Sequence, residues 1–269
     1  MSHAPPRLYL LDVEGTVAPI SLIYEQLFPY ARVHFSGFLE AHSDDSAVAA
    51  DLALLVEENR AETEAGCPVI LGAPGLDLET WESDNPSLGR RPEQVGRSNR
   101  VEDPAFRNTV LTYLLWLMDR DRKSTALKSL QGKIWKAGFE SGELTGTVFP
   151  DVPGALARWT AHAEVAIYSS GSVDAQRLFF RHSSRGDLTP LIANYFDTRT
   201  GPKTVGTSYL AISAAMHVEP GETLFFSDVV HELDPAREAG CQTRLVLREG
   251  NLAVENAHGH IAVESFDAL

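Results

Sequence analysis

The sequence predicts an α/β protein: a doubly wound parallel sheet, interrupted after its first strand by a long helical insertion. Three observations predict it. A short apolar run, Leu8-Tyr9-Leu10-Leu11, stops at Asp12-Val13-Glu14-Gly15-Thr16, the mark of a buried strand ended by a glycine turn. From Val152 onward, short apolar strands alternate with helical segments, which is the rhythm of a parallel sheet. Between these, from about Ile20 to Phe149, strand signal is sparse and helix signal frequent. The expected division is residues 1–19 with 149–269 as the α/β core, and 20–148 as a helical cap with a Gly/Pro-rich loop at about 66–100.

In the insertion, Leu22 to Phe28 has apolar residues at helical intervals, and Pro29 bends or restarts the helix. Ala47 to Glu64 is rich in the helix formers Ala, Leu and Glu. Cys67 to Arg100 is crowded with glycine and proline and reads as a long irregular loop. Asp103-Pro104 is a helix start, with Asp as N-cap and Pro at the first helical position. Val110, Leu111, Leu114, Leu115 and Met118 then form one stripe. A further helix, about Ser124 to Ala137, sets Leu127, Leu130 and Ile134 on one face and Lys128 and Lys133 on the other. Those lysines are either a solvated face or the lining of a cleft for an anionic substrate.

In the core, Pro153 to about Ala161 reads as a helix, and Val165-Ala166-Ile167-Tyr168 as a strand ending in Ser169-Ser170-Gly171-Ser172. Val173 to Arg181 is helical, with Ser172 as its N-cap. Asn194 to Asp197 is a short strand, and Gly201-Pro202-Lys203 turns into a helix covering about Ser208 to Met216. Thr223 to Phe226 is a strand ending in Ser227-Asp228, Asp234-Pro235 starts a helix that Gly240 ends, and Thr243 to Leu247 is the last clear strand.

The chain has 269 residues and a formal net charge of −14. Such acidity argues against a nucleic-acid partner. An anionic substrate then needs placed Lys or Arg residues, a helix N-terminus or a metal ion. Cys67 and Cys241 have no metal-ligand spacing and cannot build a disulfide framework. Met1 to Pro6 does not read as a signal peptide, and no apolar run is long enough to span a membrane. A cytoplasmic protein with no membrane partner is expected, and, since nothing demands an oligomer, a monomer.

Chemistry gathers outside the carboxyl ends of parallel strands. There the chain places Asp12 and Glu14, then Ser169 and Ser170, then Asp228 with Glu232 four residues on, and Lys203 in a glycine-bearing turn. Asp12 can act as a nucleophile or as a ligand for a hard cation. Together the set suits phosphoryl transfer: hydroxyls, backbone N–H groups and the Lys203 ammonium are donors to phosphoryl oxygens. Carboxylates cannot face a phosphate unless a divalent cation offsets them, which implies Mg²⁺. No GxxxxGK[ST] loop and no HExxH pair is present.

The order acid pair, serine, lysine, acid resembles the four-motif layout of the haloacid dehalogenase superfamily, and within it the enolase-phosphatases of methionine salvage. The resemblance rests on Asp12 to Thr16, Pro19-Ile20-Ser21, Leu27 to Ala31, Asp121 to Trp135, Ile167 to Val173, Tyr195 to Thr198, and Ser227-Asp228-Val229 with Glu232. Glu14 is telling, since most of the superfamily has aspartate there. Val17-Ala18, where small polar residues are usual, and Pro202, where histidine is common, depart from the pattern. The resemblance implies a Rossmann-like core and one Mg²⁺ per subunit. It implies conversion of 2,3-diketo-5-methylthiopentyl 1-phosphate to 1,2-dihydroxy-3-keto-5-methylthiopentene and phosphate through an aspartyl-phosphate. It makes Asp12 nucleophile and metal ligand, Glu14 metal ligand and general acid/base, and Asp228 the remaining metal ligand. Ser169, Ser170 and Lys203 hold the substrate phosphate, and Glu232 orients Lys203 or a metal-bound water. The alternative is a general small-metabolite phosphatase of the same superfamily.

Overall fold

The computed structural model describes residues 5–71, 103–267 and 269. Strand β1 (Leu8–Leu11) pairs on one side with β2 (Glu164–Tyr168) and on the other with β4 (Thr223–Ser227). Beyond β2 lies β3 (Asn194–Phe196); beyond β4 lie β5 (Gln242–Val246) and β6 (Ile261–Val263). The order is β3-β2-β1-β4-β5-β6 and every pair is parallel. The chain winds outward through β2 and β3, then returns to the far side of β1 for β4. That reversal leaves a crevice at the carboxyl ends of β1 and β4, where ligands bind in doubly wound sheets.

The sheet forms because its strands are apolar on both faces. All four residues of β1 are buried. Leu8 and Leu10 join the cluster that holds Tyr168, Tyr209 and Phe225. Tyr9, on the opposite face by alternation, stacks on Trp159 at 4.5 Å and on Phe226 at 6.4 Å. The covering helices of the core are α5 (Val152–Trp159), α6 (Val173–Arg181), α7 (Gly206–Ala215) and α8 (Val230–Glu238). Ser172 caps α6, accepting from the Ala175 amide at 3.3 Å.

The structure corrects three expectations: the number of strands, the start of α8 and the buried stripe of the helix that follows Asp103. Strand β6 is not among the expected strands: Ile261-Ala262-Val263 is apolar, but three residues are too few to mark a strand by pattern. Helix α8 starts at Val230, and Pro235 lies inside it rather than at its first turn. Asp234 is not its cap. Its carboxylate instead accepts from Arg237 at 2.6 Å and pairs with the rings of His258 at 2.6 Å and His260 at 3.1 Å, from the chain that precedes β6. The earlier start puts Glu232 in the first turn of α8.

The chain divides into two compact units, Met1–Pro29 with Trp135–Leu269, and Tyr30–Ile134. The sheet belongs to the first. Leu22–Leu27 is a π-helix that runs straight into α1 (Phe28–Ala41), so Pro29 falls in the first turn of the α-helix, where its missing N–H costs least. The second unit is built from α1 after Pro29, α2 (Ser46–Ala61), α3 (Pro104–Asp119) and the part of α4 (Thr125–Ser141) up to Ile134. Asp45 caps α2 and Asp103 caps α3, with Pro104 following as the sequence predicts. The buried residues of α3 are Phe106, Val110, Tyr113, Leu114, Trp116 and Leu117, so the buried face is rotated from the predicted stripe; Leu111, Leu115 and Met118 are half-buried. Glu58 accepts from the Ser124 hydroxyl and from the Thr125 amide at 3.0 Å, so a carboxylate from α2 caps α4. Lys133 pairs with Asp51, while Lys128 is exposed. Most of the predicted Gly/Pro-rich loop, residues 72–102, lies outside the described residues. Among the described residues, no helix is long and apolar enough to cross a membrane.

Candidate active site

The carboxyl end of β1 delivers Asp12, whose amide donates to the Phe226 carbonyl at 3.0 Å, so its backbone is fixed by the sheet. The chain then folds back sharply. The amides of Thr16, Val17 and Ala18 all approach the Val13 carbonyl, at 3.2, 2.9 and 2.9 Å, and the Gly15 amide donates to the Ala18 carbonyl at 2.8 Å. Val17 and Ala18 are fully buried, which suits apolar residues at these two positions.

Gly15 is required twice over. It takes φ +73°, and a Cβ on it would stand 2.3 Å from Asp228 Oδ2. The Asp228 carboxylate therefore occupies the notch that a residue without a side chain leaves. Gly15→Ala is expected to cost roughly 1–2 kcal/mol from the left-handed backbone alone. It should also displace Asp228 and abolish most activity, which a thermal melt and a phosphate-release assay would separate. From behind, Asn251 donates to the Gly15 carbonyl at 2.8 Å and Arg248 to the Thr16 carbonyl at 3.2 Å. Arg248 itself pairs with Asp151 at 2.9 Å, and both side chains are buried.

Lys203 reaches the same point from the turn before α7. Its buried ammonium contacts Asp12 Oδ1 and lies 3.0 Å from Glu232 Oε2. Burial acts to lower its pKa, but Asp12, then Glu232 and Glu14, outweigh this and hold the ammonium above its ordinary value. Ser227, the last residue of β4, donates to Glu232 Oε2 at 2.9 Å and stands 3.5 Å from Asp12 Oδ2. Asp12, Lys203, Glu232 and Ser227 are thus one network.

Glu14 faces a different partner, the Ser169 hydroxyl, which donates to its Oε2 at 3.3 Å. Burial first, and then the Asp12 charge, pushes the Glu14 pKa up. Ser169 Oγ accepts from the Gly171 amide at 3.1 Å, and Gln176 fixes the loop by donating to the carbonyls of Gly171 at 2.7 Å and Phe196 at 2.9 Å. Ser170 follows on the same loop but is exposed.

The site is rich in negative charge: the carboxyls of Asp12, Glu14, Asp228 and Glu232 surround the single ammonium of Lys203. Burial, and next the Asp12 charge, pushes Asp228 up to about 7 and raises Glu232 as well. This bears on whether a divalent cation fits. Among the described residues, no three His, Cys, Asp or Glu side chains close on a metal position. Asp12 and Glu14 are nonetheless close enough to Asp228 for their charges to raise it, so the oxygens of all three are available to a cation. That is an all-oxygen donor set with excess negative charge, which fits a hard cation such as Mg²⁺. A pH dependence follows. Asp228 is raised from 3.8 to about 7 on folding, so the native state binds more protons than the unfolded one between those values. Its contribution is therefore fully present below about pH 4 and is lost as pH rises through about 7. Thermal melts without divalent cation should show this fall, and Asp228→Asn should make it shallower, leaving the part that the raised Glu232 and Glu14 contribute.

The structure thus joins Asp12, Lys203 and Glu232 by contact, joins Glu14 to Ser169, seats Asp228 on Gly15, and leaves Ser170 apart. Sequence reasoning overlooked Ser227 as a bridge, although it adjoins Asp228. It also overlooked Arg248 and Asn251, which lie far along the chain with no motif around them.

No protein-family model matches the chain. A protein of Synechococcus elongatus named Enolase-phosphatase E1 is 43% identical over 261 residues, covering 97% of this chain and 96% of that one. Its namesake in Pseudomonas fluorescens is 37% identical over 264 residues, covering 98% and 96%. Among solved structures, the UTR4 protein of Saccharomyces cerevisiae superposes with a TM-score of 0.72 at 29% identity, covering 98% of this chain and 100% of that one.

Proposed function

This chain belongs to the enolase-phosphatase family and is a phosphatase of the haloacid dehalogenase fold; from that premise we propose that it both enolises and dephosphorylates 2,3-diketo-5-methylthiopentyl 1-phosphate. The products are 1,2-dihydroxy-3-keto-5-methylthiopentene and phosphate, a step of methionine salvage. The observation that carries the reading is the pair of acids on the first turn. Asp12 faces the Lys203 ammonium, whereas Glu14 faces a hydroxyl and has a raised pKa. Two acids in unlike surroundings can take unlike roles.

In the first step Glu14 takes a proton from the carbon next to a carbonyl, and the electron pair moves onto the carbonyl oxygen, which takes up a proton from solvent to give the enol. A carboxyl whose pKa burial raises is suited to this exchange. Lys203 and the loop of Ser169 and Ser170 hold the phosphoryl oxygens meanwhile. In the second step an Asp12 oxygen attacks phosphorus, and the bond from phosphorus to the C1 oxygen breaks. The leaving oxygen takes a proton from Glu14, and Asp12 is left as an acyl phosphate. Water, deprotonated by Glu14, then attacks that phosphorus and releases phosphate, restoring Asp12, and Glu14 returns its proton to solvent. Glu232 orients Lys203. When bound, one Mg²⁺ held by Asp12, Asp228 and the Glu14 carbonyl supplies the positive charge that lets an anionic substrate approach these carboxylates.

The test is turnover of the diketone phosphate before and after a chelator, beside a panel of sugar phosphates and phosphoglycolate. Chelation should stop phosphate release and added Mg²⁺ should restore it. The panel should be turned over roughly 100-fold less efficiently. Equal turnover of the panel would make the protein a general small-metabolite phosphatase, and indifference to the chelator would remove the cation from the account.

A further inference from the structure

The turn that carries Lys203 is held by side-chain hydroxyls, one to each of three consecutive backbone carbonyls. Tyr168 donates to the Gly201 carbonyl at 2.8 Å, Ser208 to the Pro202 carbonyl at 2.8 Å, and Tyr209 to the Lys203 carbonyl at 2.7 Å. All three donors are almost wholly buried, at 0, 2 and 0% exposure. The turn has little else to fix it. Pro202 has no N–H to give, and the Val205 amide reaches the Pro202 carbonyl only at 3.2 Å. Gly201 adopts φ +146°, and a Cβ there would stand 2.2 Å from Ser208 Oγ, so the hydroxyl fits only because glycine is present.

Tyr209 does more than its companions. The same hydroxyl also lies 2.9 Å from the Glu232 carbonyl, in the first turn of α8, so its one proton is shared between the two carbonyls. One oxygen thereby ties the backbones of Lys203 and Glu232, whose side chains meet at 3.0 Å in the site. Its ring packs edge-on against Tyr168 at 5.7 Å and tilted against Phe225 at 5.1 Å. A lysine side chain is long and loses rotamer freedom when ordered, so the ammonium that Asp12 and Glu232 hold also depends on where its Cα is fixed. A misplacement of about 1 Å can cost on the order of 100-fold in rate.

We infer that Tyr209, supported by Tyr168 and Ser208, is a positioning residue: it fixes the Lys203 ammonium where the phosphoryl group is received and keeps Glu232 in step with it. The inference rests on the reading that Lys203 holds the substrate phosphate. Tyr209→Phe removes one oxygen and keeps the ring. It should lower kcat/KM for phosphate release by between roughly tenfold and 100-fold, and raise the inhibition constant for inorganic phosphate in the same proportion. Introduced beside Lys203→Met, it should cost less than about twofold more, because residues acting through one another are not additive. An equal loss in both backgrounds would make Tyr209 merely structural and overturn the inference, as would full activity of Tyr209→Phe alone. If Tyr209→Phe does not fold, Tyr168→Phe runs the same cycle with the same expectations. Lys203→Met by itself tests the underlying reading: if it keeps wild-type activity, that reading fails and takes this one with it. If Lys203→Met is impaired and Tyr209→Phe is not, only the positioning role fails.

Discussion

Asp12→Asn should reduce phosphate release by on the order of 10⁴-fold or more, the scale seen when a nucleophile is removed from an enzyme that needs it. The amide fills the same volume and can still accept from the Val13 amide, which reaches Asp12 Oδ1 at 2.7 Å. It cannot attack phosphorus. Lys203 keeps Glu232 as a charged partner at 3.0 Å, so the buried ammonium is not left alone and the fold should survive. The check has two parts: steady-state phosphate release, and acid quench during turnover, which should trap a phosphoryl label on the wild-type protein and none on the variant. A labelled Asp12→Asn protein would move the nucleophile elsewhere.

Glu14→Gln should lower enolisation by roughly 10²- to 10⁴-fold, the usual worth of a general acid or base. The glutamine can still accept from Ser169 but cannot exchange a proton. Glu14→Asp is the finer probe. It keeps the charge and withdraws the carboxyl by one methylene, so the acid pair of an ordinary haloacid dehalogenase phosphatase is recreated while the reach is lost. Enolisation followed by ultraviolet absorbance should fall in both variants. A Glu14→Asp protein with both rates intact would show that the extra length of Glu14 does nothing.

Much of this was legible because particular residues leave local signatures. Leu8 to Leu11 reads as a strand from four apolar residues and a glycine turn, and it is buried on both faces at the sheet centre. Asp103-Pro104 and Ser172 read as helix starts, and their side chains make the expected caps. Acids, serines and lysine at strand ends could be ordered by topology alone, since a parallel sheet puts those ends on one edge. What local pattern could not supply was decided by distant partners. Asp234 looks like an N-cap, but His258, His260 and Arg237 claim its carboxylate, so α8 begins earlier and brings Glu232 to Lys203. Ile261 to Val263 is a strand only because β5 lies beside it. Tyr209 reads as one more apolar helix residue until its hydroxyl is seen on two carbonyls far apart in sequence.

The most direct measurement mixes the protein, Mg²⁺ and the diketone phosphate, and follows enol absorbance and free phosphate on the same sample. The account predicts that the enol signal rises before phosphate appears, and that Asp12→Asn removes the phosphate signal. Phosphate released with no preceding enol, at a rate that Glu14→Gln leaves unchanged, would contradict it.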